Sequence, residues 1–246
     1  MKKAEVCELI REIGVIPAIK VSSAEDAHFA CDAVASGGIP IVEITMTVPE
    51  AVEVIAHLVK YHGKLLVGAG TVLDTDTAAK CLDAGALFIT SPGLNVKIVE
   101  FTARREIAVL PGALTPTEVI EAWDAGADFV KVFPCADVGG EKHIRALKTS
   151  LPQIPLIAAG GVTQQTAANY ILAGATAIGV GTELIPPEAI AEREAARIRE
   201  LAQRFAGYVK EARHRLAQRK ESTAPKSDSW KSHKQAPHNK GGRTNG

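Results

Sequence analysis

The chain has 246 residues, 46% of them hydrophobic, which suffices for one large core and is close to the roughly 250 residues of a single (β/α)8 barrel. Lysine plus arginine equals aspartate plus glutamate, 28 each, so the balance excludes the broad basic footprint of a nucleic-acid or anionic-membrane binder. Cys7, Cys31, Cys81 and Cys135 are too scattered for a zinc knuckle or a disulfide framework, and with no leader-like N-terminus or membrane-length apolar run they point to a soluble cytoplasmic protein.

Met1–Arg11 is a charged amphipathic stretch that reads as an N-terminal helix. The first strand is predicted over Val15–Lys20, although Pro17 inside it lacks the N–H of a sheet ladder and leaves its bounds open. Ser22 with Glu25 three residues on then fits a helix capping box. Further apolar runs of strand length follow at Ile39–Met46, Leu65–Thr71, Leu87–Ser91 and Ala108–Gly112. Thr115-Pro116 places a proline at a first helical position. The last three strands are predicted at Phe129–Pro134, Pro155–Gly160 and Ala177–Leu184, each with a helical segment after it. Near-continuous apolar strands alternating with helices indicate parallel strands buried on both faces.

The count of eight makes the fold an α/β, (β/α)8 TIM barrel. Ala84-Gly85-Ala86, Ala125-Gly126-Ala127 and Ala173-Gly174-Ala175 each precede a strand, and their glycines suit the left-handed turn that closes a helix. From Pro187 to about Arg219 the sequence reads as one long C-terminal helix with Ile198, Leu201, Phe205, Val209 and Leu216 on its apolar stripe. Residues 221–246 turn to Ser, Lys, Pro, Gly, Asn and His, a composition that does not offset its ordering entropy, so the barrel domain is placed at 1–220 with a disordered polar tail beyond.

A charge at an inward position of a strand buried on both faces needs a partner or a task. Lys131 shares strand parity with Phe129 and Phe133, and Glu43 with Ile41 and Thr45, so both point into the barrel from the sixth and second strands. Both lie towards the strand C-termini, where barrel enzymes place their sites. Desolvation disfavours an ammonium ion and frees an amine to attack a ketone, with a nearby carboxylate to move protons. The plainer alternative is a buried ion pair without catalytic duty. Glycine-rich ends at Gly68-Ala69-Gly70-Thr71, Gly160-Gly161-Val162-Thr163 and Gly179-Val180-Gly181-Thr182 suit either tight turns or the approach of an anion to backbone N–H groups. The seven histidines fall on predicted helices, their ends or the tail, which provides no metal-ligand cluster and implies no metal and no cofactor. Cys135 after Pro134 sits at the predicted mouth of the site with no basic neighbour to activate it.

From Ile10 to Leu184 the chain resembles the 2-keto-3-deoxy-6-phosphogluconate aldolases, whose relatives include 4-hydroxy-2-oxoglutarate and 2-keto-3-deoxy-6-phosphogalactonate aldolases. The resemblance rests on Gly14-Val15-Ile16-Pro17, Val42-Glu43-Ile44-Thr45, Gly68-Ala69-Gly70-Thr71-Val72, Ser91-Pro92-Gly93, Pro111-Gly112, Lys131-Val132-Phe133-Pro134 and Gly160-Gly161-Val162, in that order. It implies a class I aldolase in which Lys131 forms the Schiff base and Glu43 is the acid/base acting through a water. Thr71 and Pro92 would line the carboxylate pocket, Phe133 would pack on the substrate, and Gly160, Gly161, Gly181 and Thr182 would hold a terminal phosphate. The products would be pyruvate and glyceraldehyde 3-phosphate or glyoxylate, and the assembly a homotrimer.

The sequence departs from the family at the substrate end. Many members carry arginine where Thr47 stands; another branch carries it near the end of strand one, where Lys20 keeps a cation but loses the bidentate fork. Ala159 replaces a frequent threonine before the glycine pair, and Glu183 adds a negative charge beside the expected phosphate seat. Two rival readings remain at this level: a phosphate-binding barrel isomerase, which would have no use for an inward lysine, and a non-catalytic barrel scaffold, which would gain nothing from a buried charge pair.

Overall fold

The computed structural model describes residues 1–223. The strands are β1 (Val15–Ile19), β2 (Ile41–Thr45), β3 (Leu66–Gly70), β4 (Phe88–Thr90), β5 (Ala108–Leu110), β6 (Gly112–Ala113), β7 (Val130–Val132), β8 (Leu156–Ala159) and β9 (Ala177–Val180). They form one parallel sheet in the order β5-β4-β3-β2-β1-β9-β8-β7-β6. Only Pro111 separates β5 from β6 in the chain, so the two sheet edges meet there and the ring closes as a barrel. The predicted fifth strand, Ala108–Gly112, is therefore two short segments, because a proline offers no N–H to continue the ladder. Its carbonyl still accepts from the Lys131 N–H at 2.9 Å, which carries the hydrogen bonding across the gap.

Pro17 is accommodated differently. β1 pairs with β9 over Val15–Pro17 and with β2 from Ala18 onward, so the missing N–H falls where the strand changes partner. Every residue of β2 and β3 is buried, as expected of strands covered on both faces. Inside the barrel, Phe88 occupies the space left by Gly68, where an added Cβ would lie 2.2 Å from the ring.

The helices are α1 (Lys3–Ile13), α2 (Ala24–Ser36), α3 (Ala51–Tyr61), α4 (Thr75–Asp83), α5 (Val96–Ala103), α6 (Pro116–Asp124), α7 (Glu141–Ser150), α8 (Ala167–Leu172), α9 (Pro187–Ala191) and α10 (Ala195–Thr223). The cap of α2 is Ser23, whose hydroxyl accepts from the Asp26 N–H at 3.1 Å, rather than Ser22 as expected. At α6 the Thr115 hydroxyl accepts from the Glu118 N–H, while the Glu118 carboxylate accepts from the Leu114 and Thr115 N–H groups at 2.7 and 2.8 Å. Those bonds hold the Glu118 carboxyl below the usual carboxylate range. Gly85, Gly126 and Gly174 have φ of 98°, 102° and 108°, the left-handed helix ends anticipated from the Ala-Gly-Ala repeats.

The single long helix expected from Pro187 is two helices. α9 buries Ala189 and Ile190 at the barrel top, whereas α10 packs Ile198, Leu201, Phe205 and Val209 against α8 and α2. Arg193, at φ 54°, forms the turn between these directions, and its guanidinium bridges Glu25 at 2.8 Å and Asp26 at 2.9 Å. α10 continues to Thr223, past the expected boundary at 220; the remainder of the predicted tail lies outside the described residues.

At the barrel bottom, Arg213 of α10 donates to the Glu12 and Arg11 carbonyls of α1 and, at 3.0 Å, to Thr176 O. Gly14 permits this clamp, since a Cβ there would stand 2.4 Å from Arg213 Nη2. Replacing Arg213 by methionine keeps the aliphatic stem and leaves the three carbonyls without their charged donor. Urea unfolding should show a loss of about 2 kcal/mol.

On the outer face, His28 of α2 meets His57 of α3 edge-on with ring centroids 4.5 Å apart, and its Nδ1 is buried without a hydrogen-bond partner. Burial, with His57 and His62 nearby, holds the His28 pKa below its usual value against the opposing pull of Asp32. A depressed pKa means that the unfolded chain takes up this proton first. Stability should thus be complete above about pH 6.5 and fall below it. The corresponding measurement is the melting temperature between pH 7.5 and 5, which should fall less in His28→Gln than in the parent.

Candidate active site

The C-terminal ends of the strands surround a cavity of about 300 Å³. Its lining brings together Lys20, Glu43, Thr71, Pro92, Lys131, Phe133, Gly160, Gly161, Gly181 and Thr182, ten of the eleven residues assigned to the site from sequence. Lys131 reaches in from β7 and Glu43 from β2, with Nζ 3.6 Å from Oε1. Their side chains are 13% and 5% exposed, and both line the cavity from inside the barrel. The Lys131 ammonium lies 5.5 Å from the Phe133 ring centroid, and that ring, 36% exposed, forms part of the wall.

Several small residues make room for these groups. A Cβ on Gly70 would sit 2.1 Å from Glu43 Oε1, so β3 must carry glycine beside the carboxylate. A Cβ on Gly112 would sit 2.2 Å from the Pro92 carbonyl carbon, which fixes the Ser91-Pro92-Gly93 loop over β6. Thr71 adopts φ 59°, a left-handed conformation that is costly for a β-branched residue, by about 1–3 kcal/mol, and characteristic of functional sites.

Gly160 and Gly161 are also left-handed, at φ 82° and 74°. Added Cβ atoms would lie 2.9 Å from Pro134 Cα and 2.4 Å from Ala136 Cβ. The turn itself thus requires both glycines. At Gly181 an added Cβ would meet nothing within 4 Å.

Thr47 is the residue that the cavity does not include. It lines an adjoining groove of about 460 Å³ with Ser22, Asp26 and Arg193, and Lys20 lines both. Thr47 nevertheless connects to the site. Thr45 gives its one hydroxyl proton to Ile19 O at 3.0 Å, so at 2.7 Å Thr47 is the donor to Thr45. Cys135 is fully buried behind the site rather than at its mouth, and burial pushes its thiol up to about 11, which leaves it unreactive.

Sequence reasoning passed over Ala18, Thr45 and Val162 as lining residues. Ala18 and Thr45 were accessible by parity, since they alternate with Lys20 and Glu43 on their strands. Glu183, already noted as out of place beside a phosphate, does line the cavity.

Comparisons with known proteins converge on one family. Residues 6–201 match the family model "KDPG and KHG aldolase". A 2-dehydro-3-deoxy-phosphogluconate aldolase of Pseudomonas aeruginosa is 31% identical over 209 residues, 83% of this chain and 95% of that protein. The KHG/KDPG aldolase of Escherichia coli K12 is 32% identical over 189 residues, 76% of this chain and 88% of its own length. Among solved structures, a KDPG aldolase from Legionella pneumophila, with pyruvate captured as a covalent carbinolamine, superposes with a TM-score of 0.76 at 29% identity, covering 80% of this chain and 96% of that one. A parallel barrel with this cavity and these relatives is a class I aldolase, a carbon–carbon lyase. The chain belongs to the KDPG and KHG aldolase family.

The position of Gly70 can be tested directly. Gly70→Ala must push the Glu43 carboxylate aside, and displacements of about 1 Å at a reacting group can cost about a hundredfold. Steady-state pyruvate release should fall by that order while the circular dichroism spectrum stays that of the parent.

Proposed function

We propose that the enzyme cleaves a 4-hydroxy-2-oxo acid between carbons three and four, releasing pyruvate and an aldehyde, with Lys131 as nucleophile and Glu43 as the proton carrier. The observation that carries this reading is the Lys131–Glu43 pair, 3.6 Å apart, nearly buried and lining the cavity. The relatives are named for 2-dehydro-3-deoxy-phosphogluconate and for KHG/KDPG, and substrates of this type, 2-keto-3-deoxy-6-phosphogluconate and 4-hydroxy-2-oxoglutarate, share the same first four carbons.

The Lys131 amine adds to carbon two, and loss of water leaves an iminium. Glu43, through a water, removes the proton of the 4-hydroxyl; the electrons of the C3–C4 bond move into a C2–C3 double bond and neutralise the iminium. The aldehyde departs and an enamine of pyruvate remains. Glu43 returns the proton to carbon three, and hydrolysis frees pyruvate and Lys131. The iminium is the electron sink, so no step calls for a metal or a cofactor. Thr71 and Pro92, on the β3 and β4 side of the cavity, are assigned to the carboxylate next to the reacting carbon, and Phe133 to the face of the substrate chain. Lys20 supplies an additional cation at the rim, with Thr47 one hydroxyl behind it.

We further assign residues 1–220 to one catalytic domain of a cytoplasmic homotrimer that takes a small 2-oxo acid as its partner and neither nucleic acid nor membrane. Among the described residues, no helix is long and apolar enough to cross a membrane. A related chain, 29% identical with a TM-score of 0.78, comes from a protein cage designed by fusing symmetric oligomeric domains, which supports self-association. Light scattering after gel filtration should give three times the 25.9 kDa chain mass; a monomer would remove the trimer assignment.

The chemistry is tested by reducing a mixture of protein and pyruvate with borohydride and mapping the product by peptide mass spectrometry. A pyruvyl adduct confined to Lys131 is expected, with none in Lys131→Met and no turnover by that variant despite an unchanged fold. An unmodified Lys131 in folded parent protein would count against the aldolase assignment of this residue.

A further inference from the structure

The charges around the cavity carry information about the far end of the substrate. Four lining side chains are ionisable: Lys20, Glu43, Lys131 and Glu183. In the scheme above Lys131 and Glu43 are occupied by the reaction itself. The remainder is one cation, Lys20 after β1, and one anion, Glu183 after β9, on neighbouring strands across the ring from Thr71 and Pro92. Neither side chain has an ion-pair or hydrogen-bond partner among the described residues.

A phosphate dianion at this end would meet one positive and one negative residue, both exposed and both lining the cavity. The arginines nearest to Glu183 do not change that balance. Arg197 and Arg204 line the adjacent cavity that shares Thr182 and Glu183, but their guanidiniums are held by Glu194 at 2.9 Å and Glu200 at 2.7 Å. Ala159 offers no hydroxyl beside the Gly160-Gly161 turn, and Glu183 directly follows Gly181 and Thr182 in the lining. A sugar hydroxyl, in contrast, suits the rim as it stands. It can accept from an ammonium such as that of Lys20 and donate to a carboxylate such as that of Glu183.

We propose that the site takes a 2-keto-3-deoxy sugar acid whose terminal hydroxyl is free, and that Glu183 is the specificity residue that excludes a phosphate there. This rests on the aldolase reading and narrows its substrate class. The test is kcat/KM for 2-keto-3-deoxygluconate, its 6-phosphate and 4-hydroxy-2-oxoglutarate, in the parent and in Glu183→Gln. The parent should favour the unphosphorylated sugar acid at least tenfold over either of the others. Glu183→Gln should move the ratio at least tenfold towards the phosphate, and added salt should lower the KM for the phosphate in the parent more than in the variant, because screening acts on a repulsion between charges.

Preference of the parent for the phosphate or for the short dicarboxylate, an unmoved ratio in Glu183→Gln, or turnover of none of the three despite a pyruvyl adduct on Lys131 would overturn the proposal alone. Absence of that adduct would overturn the aldolase reading and this proposal together.

Discussion

The top of this barrel depends on holding an ammonium and a carboxylate 3.6 Å apart inside a ring of apolar strands. Taking either ion out of water costs several kcal/mol, and removal of one partner from such a pair is destabilising by about 3–5 kcal/mol. An apolar pair of the same volume would serve the fold at least as well. The chain instead shapes its neighbours around the ions: glycine at position 70 so that Glu43 fits, and a cavity that Lys131 lines, large enough for a small carbonyl compound. The interaction that is a liability for folding is the one to which the proposed chemistry is assigned.

Closing the ring imposes a second set of constraints, and these explain most of the glycines and prolines at the rim. Pro111 divides one strand and Pro17 sits where another changes partner, so each missing N–H falls at a point where the ladder tolerates it. Gly112 lets the Pro92 loop lie against β6, and Gly160 and Gly161 turn the chain beneath Pro134 and Ala136. At Gly160 and Gly161 the backbone freedom that makes the turn is the same freedom that lets an anion approach the backbone N–H groups.

The strand and helix order was legible because the apolar runs are short, separated and bounded by turn residues, and the inward direction of Lys131 and Glu43 followed from strand parity alone. The break at Arg193 was not legible. Helix propensity continues through Glu192–Glu194, and only the ion pairs of Arg193 with Glu25 and Asp26, distant in sequence, reveal the change of direction. Ser23 rather than Ser22 caps α2; the two serines stand one and two residues before the helix start, a difference that spacing does not resolve. Thr47 was placed at the substrate end because many family members carry arginine at its position, but β2 ends at Thr45 and Thr47 lines the neighbouring groove. Arg213, which ties the last helix to the first, left no sequence signal, since its partners are backbone carbonyls, two of them roughly two hundred residues away.

The central claim is that Lys131 activates a 2-oxo acid and Glu43 moves its protons. Hydrogen exchange at the pyruvate methyl group in deuterated water, followed by proton NMR, reports both steps without any knowledge of the aldehyde. The account predicts rapid loss of the methyl signal with the parent, none above background with Lys131→Met, and a slowing of at least a hundredfold with Glu43→Gln while that variant still forms the reducible adduct. Exchange at the parent rate in either variant would contradict it.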